Sequence, residues 1–228
     1  MQIQAGSGRI QDTDVLALAV AVFKDEKADE GFLKDLDESC SGLIKSVLDG
    51  EELKGKEGES AFIHLAGTAT GKASRLLLIG VGDRSEYTRA SVSQMAGAAV
   101  RTLRGKGVKS ISVVPRFDGD AEDTAAAVAE GAVMATFDLD KYRTADKEER
   151  LIERVTVFID GAAADATERG IQRGQIIGES VNFTRDMANE PGAYLTPTMM
   201  ADRAREVATE CGLSIDVLDE ARMEQEGM

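Results

Sequence analysis

The sequence predicts an α/β sandwich in which helices cover a mixed, largely parallel sheet. Strand-length, largely apolar runs at 15–23, 75–82 and 110–114 have the composition of strands buried on both faces. Between them lie longer segments whose apolar residues recur at helical spacing. Glycine and proline punctuate the boundaries, so strands and helices alternate along the chain.

Residues 3–10 are polar and glycine-containing and suit a first edge strand. The run 15–23 follows as a buried strand and 25–30 as a charged turn. Phe32, Leu33, Leu36, Cys40, Leu43, Ile44, Val47 and Leu48 mark one amphipathic helix over 31–48. Residues 51–59 are charged and glycine-rich, a loop. A strand is expected at 60–66, a turn at 67–74 and a second buried strand at 75–82. Val92, Met95, Ala96, Ala99 and Leu103 share one face of a helix over 88–104, which Gly105-Lys106-Gly107 ends. Pro115 stops a strand at 110–114. An alanine-rich helix covers 121–137, a polar excursion 138–149 and a further strand 155–159. The strands and helices between 15 and 159 suffice for a closed core.

A long helix is expected at 164–188. Gly170, Gly174 and Gly178 recur every fourth residue and face one way. Each costs about 1 kcal/mol of helix propensity, which suits a groove where another backbone approaches closely. Residues 198–211 form the next helix, ended by Gly212; 213–218 read as a short strand and 220–226 as a last helical turn or two.

The chain has 228 residues, a net charge of −14 and a pI near 4.6. That balance argues against nucleic acid and anionic membrane as partners, because phosphate recognition needs clustered Lys and Arg. Cys40 and Cys211 have no metal or redox spacing and suit a reducing cytoplasm. No apolar run approaches the roughly 20 residues a bilayer span needs.

Several motifs fail on their chemistry. Gly67 to Lys72 has three residues between its glycines and Ala73 after the lysine, so it is no phosphate loop. Gly80-Val81-Gly82 lacks the third glycine of a dinucleotide turn, Ser85 standing in its place, and reads as a tight strand exit. His64, the one histidine, cannot build a zinc site unaided and is expected to be a sheet residue with a backbone partner. The sequon at Asn182 lies within a helix. No Ser/His/Asp or Cys/His set stands out.

The most specific stretch is the elbow between the last two long helices. Pro191 stops the first helix, Gly192 is free to take the positive φ after the stop, and Thr196-Pro197 caps and opens the second. The run Arg185-Asp186-Met187-Ala188-Asn189-Glu190-Pro191-Gly192-Ala193-Tyr194-Leu195-Thr196-Pro197 resembles the linker signature of the leucyl aminopeptidase family, peptidase family M17. Arg185, Asp186, Asn189, Pro191, Thr196 and Pro197 carry the match. Residues 75–83 and 130–144 are similar to two further family motifs, with Phe137 where a tyrosine is common and Arg143 for lysine. Glu226-Gly227-Met228 resembles the start of the family's Gly-Met-Gly strand.

The resemblance implies an N-terminal, macro-domain-like three-layer domain at 1–162, a linker helix at 163–190 and the first segment of a catalytic domain at 191–228. It implies a cytoplasmic hexamer that releases N-terminal residues from peptides with two divalent metals, manganese or zinc. The family's metal-binding and catalytic motifs are absent here, so this chain is expected to hold no catalytic, cofactor or metal residue. Two other readings stand beside it: a stand-alone macro-like nucleotide or ADP-ribose module, and a non-catalytic regulatory subunit.

Overall fold

The computed structural model describes residues 1–10, 13–65, 72–138, 142, 145 and 151–228. The phosphate-loop look-alike, apart from Lys72, and positions 139–141, 143 and 144 of the second family motif lie outside the described residues. By packing, the chain divides into Met1–Asn182 and Phe183–Met228.

The first unit is built on a six-stranded sheet in the order β1 (Gln2–Ala5), β6 (Arg154–Val157), β5 (Ser110–Val114), β2 (Ala17–Val22), β4 (Arg75–Gly80), β3 (Ser60–His64). Every neighbouring pair is parallel except β3 with β4. All six residues of β2, the central strand, are buried, which is why its sequence is apolar without alternation. Successive side chains point to opposite faces. Ala17, Ala19 and Ala21 thus join one core with α3 (Arg89–Gly105) and α4 (Ala121–Met134). Leu18, Val20 and Val22 join the other, with α1 (Gly31–Ser39) and α2 (Leu43–Asp49).

The single helix expected over 31–48 is two helices. Ser41 and Gly42 take positive φ, 59° and 80°, and break it. The Asp37 carboxylate, buried at 7% exposure, then accepts the backbone N–H of Ile44 at 2.8 Å and of Lys45 at 3.0 Å. A side chain inside α1 therefore supplies the cap that Gly42 cannot. The first strand is also shorter than 3–10, and α4 ends at Met134 instead of 137.

α5 (Ala164–Ala188) meets the expectation for its glycines. A Cβ at Gly170 would lie 2.1 Å from the Glu122 carbonyl oxygen, and one at Gly174 2.2 Å from that of Ala126. Gly178 abuts Val133, and Asn182 donates to the Val133 carbonyl at 2.8 Å. The groove is filled by α4. Ile171 of α5 joins the core, and ion pairs flank the contact: Arg169 with Glu122, and Arg173 and Arg89 with Asp123.

The second unit contains α6 (Pro197–Cys211) and α7 (Glu220–Gln225). Residues 213–218 form no strand. A strand without a partner leaves its N–H and C=O groups unpaired, and Leu213 and Ile215 are exposed. Among the described residues no helix is long and apolar enough to cross a membrane.

Candidate functional site

The topology opens a crevice at the strand ends of the first unit. β2 passes the chain to α1 and α2 on one face, whereas its neighbour β5 passes it to α4 on the other. Where adjacent parallel strands send their connections to opposite faces, the loops part at the C-terminal ends and leave a cleft. Here the cleft has a volume of about 950 Å³ and is lined by residues 25–27 and 29–32 after β2, Arg84 after β4, 116–118 after β5 and 158–160 at the end of β6.

Arg116 forms its floor. It has a positive φ of 54°, and its side chain is 9% exposed. Nη1 donates to the Ala21 carbonyl at 2.9 Å and to Glu26 Oε2 at 2.8 Å, and Nη2 donates to Glu26 Oε1. Glu26 also accepts the Phe23 N–H at 3.0 Å. The cation lies 5.3 Å from the Phe23 ring centroid and 5.0 Å from that of Phe32. The pair is thus a closed unit whose charges cancel. Above it Arg84 pairs with Asp118 at 2.7 Å. Tyr87 supports the floor by donating to the Pro115 carbonyl at 2.9 Å, and burial pushes its phenol pKa up. Sequence reading missed this crevice because its residues come from loops far apart in the chain; only the charged run at 25–30 hinted at it.

The linker-signature residues gather in the second unit. Asn189 donates from its side chain to the Arg185 carbonyl at 2.6 Å and finishes α5. The Pro191 carbonyl accepts from Tyr194 and Leu195, at 2.8 and 3.0 Å, and turns the chain. Gly192 has no positive φ: that carbonyl-centred turn replaces the left-handed residue expected there. Thr196 caps α6 through the Met199 N–H at 3.3 Å, and Pro197 is its first residue. Asp186 and Glu190 both face Arg203 of α6, at 3.8 and 2.9 Å, with the Glu190 side chain 2% exposed. Arg203, and its pairing with Glu190, are what sequence reading missed in the elbow. Their signal was two acids four positions apart, facing a basic residue on the next helix.

His64 is exposed on β3 and sits edge-on against Phe62, with ring centroids 5.0 Å apart. Among the described residues its side chain has no backbone partner, because an outward-facing side chain on this edge strand looks to solvent. Among the described residues no three His, Cys, Asp or Glu side chains converge as a metal site would require. The described residues do not offer the converging ligands that the pair of divalent metals implied by the family resemblance would need.

A family model described as the cytosol aminopeptidase family, N-terminal domain, matches residues 19–146. A probable cytosol aminopeptidase of Solibacter usitatus is 37% identical over 177 residues, covering 78% of this chain and 36% of its own. That of Alkaliphilus metalliredigens is 27% identical over 234 residues, covering 100% of this chain and 46% of its own. Among solved structures, a mutant of tomato leucine aminopeptidase aligns with a TM-score of 0.85 at 24% identity, over 100% of this chain and 46% of its own. The bottromycin maturation enzyme BotP, in complex with Mn, aligns at 0.67 and 23% identity, over 93% and 40%. These two are likenesses of fold. The chain spans less than half the length of each of these relatives.

Proposed function

The chain belongs to the cytosol aminopeptidase family, and from that membership we propose that it is the N-terminal part of a metal-dependent leucyl aminopeptidase, a cytoplasmic hydrolase that releases N-terminal amino acids from peptides. The observation that carries this reading is the match of the family's N-terminal-domain model over 19–146. The elbow adds to it, since it follows the signature that joins this domain to a catalytic one. The chemistry belongs to the part of the relatives that this chain does not span. Two divalent metals there, manganese or zinc, would polarise the peptide carbonyl and lower the pKa of the attacking water.

The role proposed for this chain is folding, subunit assembly into a hexamer and control of access to the active site. By role, 1–162 is the domain, 163–190 the linker helix and 191–228 the entry to the catalytic domain. The second unit supports that last assignment. Phe183, Met187, Met200, Val207, Leu213 and Ile215 line an apolar cavity of about 330 Å³, with Phe183, Met200, Leu213 and Ile215 exposed. An apolar face of this kind marks a packing surface, and we assign it to the remainder of the catalytic domain.

The test joins residues 1–228 to the C-terminal remainder of the Solibacter usitatus relative and assays leucine-anilide hydrolysis with added manganese or zinc. The joined protein is expected to turn over substrate and to lose that activity to a chelator, while 1–228 alone matches the buffer blank. Turnover by 1–228 alone would overturn the reading, as would a folded but inactive joined protein.

A further inference from the structure

We propose that β3 is a self-pairing edge: two copies of this chain join their sheets antiparallel along Ser60–His64, about a two-fold axis at Phe62. The strand ends the sheet order, with β4 on one side and no described strand on the other. The register shows which of its backbone groups are left over. Glu59 accepts from the Gly80 N–H, and Leu65 donates to the Ser74 carbonyl, both at 2.9 Å. Hydrogen-bonded and non-bonded pairs alternate along an antiparallel ladder, so Ala61 and Ile63 also turn their groups to β4. The N–H and C=O groups of Ser60, Phe62 and His64 therefore point away from the sheet.

Exposed edges are normally blunted by charges, proline or a bulge. Ser60–His64 contains no Asp, Glu, Lys, Arg or Pro, and its register with β4 is unbroken. The free groups are also self-complementary. They sit on three alternate residues with Phe62 at the centre. A two-fold axis there sets Phe62 against Phe62, and Ser60 against His64 of the second copy. Every left-over N–H then meets a left-over C=O. A shift of one residue would set them against groups already spent on β4.

The side chains agree with this pairing. Ser60, Phe62 and His64 share the face that α3 covers. The Phe62 ring is half-buried there, edge-on to His64 at 5.0 Å and 5.5 Å from the Lys106 ammonium. Pairing sets the two Phe62 rings side by side as a cross-strand aromatic pair. Charge is uneven along the strand: Glu57 and Glu59 precede it, and Arg75 stands opposite His64 at its far end. The antiparallel arrangement lays the acidic end of each copy against the basic end of the other. A cavity of about 290 Å³ opens beside Ser60, lined also by Glu57, Glu59, Gln94 and Arg101. His64 of the second copy, opposite Ser60, closes its mouth. The inference stands on the first unit alone and does not depend on hydrolysis, so its failure would leave the proposed function untouched.

The test is sedimentation of the 228-residue chain over a range of concentrations, with residue-resolved amide exchange at both ends of the range. A weak dimer is expected, because the paired strands are short. In it the amides of Ser60, Phe62 and His64 should exchange at least about tenfold more slowly than in the monomer. Those of Ala61 and Ile63, bonded to β4 in both states, should not change. Ser60→Pro removes an outward N–H without touching the β4 ladder. It should abolish the dimer, while thermal unfolding of the monomer matches the parent's. Ser60→Ala keeps the N–H and should leave the dimer intact. Three results would each overturn the proposal: a chain that is monomeric at every concentration, a dimer in which the three amides stay unprotected, or a dimer that survives in folded Ser60→Pro. The second is the outcome if association runs instead through the apolar face at Phe183 and Leu213.

Discussion

Gly174 shows how much one missing methyl can matter. Its α-carbon sits where any Cβ would come within 2.2 Å of the Ala126 carbonyl oxygen, and backbone cannot step aside as a side chain can. Gly174→Ala gains helix propensity but forces α4 and α5 apart, for an expected net loss of about 1–3 kcal/mol. Gly105→Ala, with nothing within 4 Å of its Cβ, should be neutral or stabilising by up to about 1 kcal/mol. Denaturant unfolding of the two variants gives both numbers. The cysteines differ as sharply. Cys211 is exposed and Cys40 buried, so a thiol reagent should label one group in the native protein and two after unfolding. Burial, and then the nearby Asp37 carboxylate, push the Cys40 thiol up to about 11 from 9.0. Its folded pKa is raised, so the stability it contributes is complete below pH 9 and is lost as pH rises towards 11. Thermal unfolding of the parent and Cys40→Ala across that window should converge as this contribution disappears. The glycine stripe was legible in the sequence because helical spacing alone puts 170, 174 and 178 on one face. Arg116 was not, because its partners Glu26 and Ala21 are about ninety positions away and only the fold unites them.

At the scale of elements, the sequence was most legible where burial is complete. β5 and α5 lie where their patterns put them, and β2 and β4 within two residues of it at each end. The errors fell where a side chain or a missing partner decided the outcome. Apolar spacing runs straight through 31–48, and nothing in it announces that the Asp37 carboxylate will cap a second helix from inside the first. Residues 213–218 have a strand's composition and no strand beside them. Asp37→Ala should unwind the start of α2 and cost about 1–2 kcal/mol, whereas Asp37→Asn, which keeps an acceptor oxygen, should cost less. Amide exchange at Ile44 and Lys45 reports the cap directly: faster exchange there in the alanine variant, with α1 unchanged, is the expected pattern. Equal protection in both variants would mean that α2 starts without it. The elbow was read correctly at Thr196 and Pro197, which open α6 as composed, and wrongly at Gly192, which takes no positive φ. Its tie between Arg203 and Glu190 needed the two helices in space.

At the scale of the molecule, the proposed role of the chain is that of a scaffold, with the chemistry proposed for the part of its relatives that it does not span. The first unit runs through Asn182, because α5 is held to α4 as far as Gly178 and the Asn182 side chain. Limited proteolysis is therefore expected to leave a resistant fragment ending close to 182; a fragment ending before 170 would show that the glycine contact does not hold α5 in solution. The candidate sites divide along the same lines. The linker signature was legible because it is a contiguous string of chemically constrained residues. The crevice was not, since it is assembled from four strand ends. The central claim is that 1–228 supplies no catalytic metal site, and titration calorimetry of the purified chain with manganese and zinc tests it most directly. Scattered surface carboxylates are expected to give only weak, unsaturated heats for either ion. Saturable binding of two metals per chain at micromolar concentration would contradict the account and locate the chemistry within these residues.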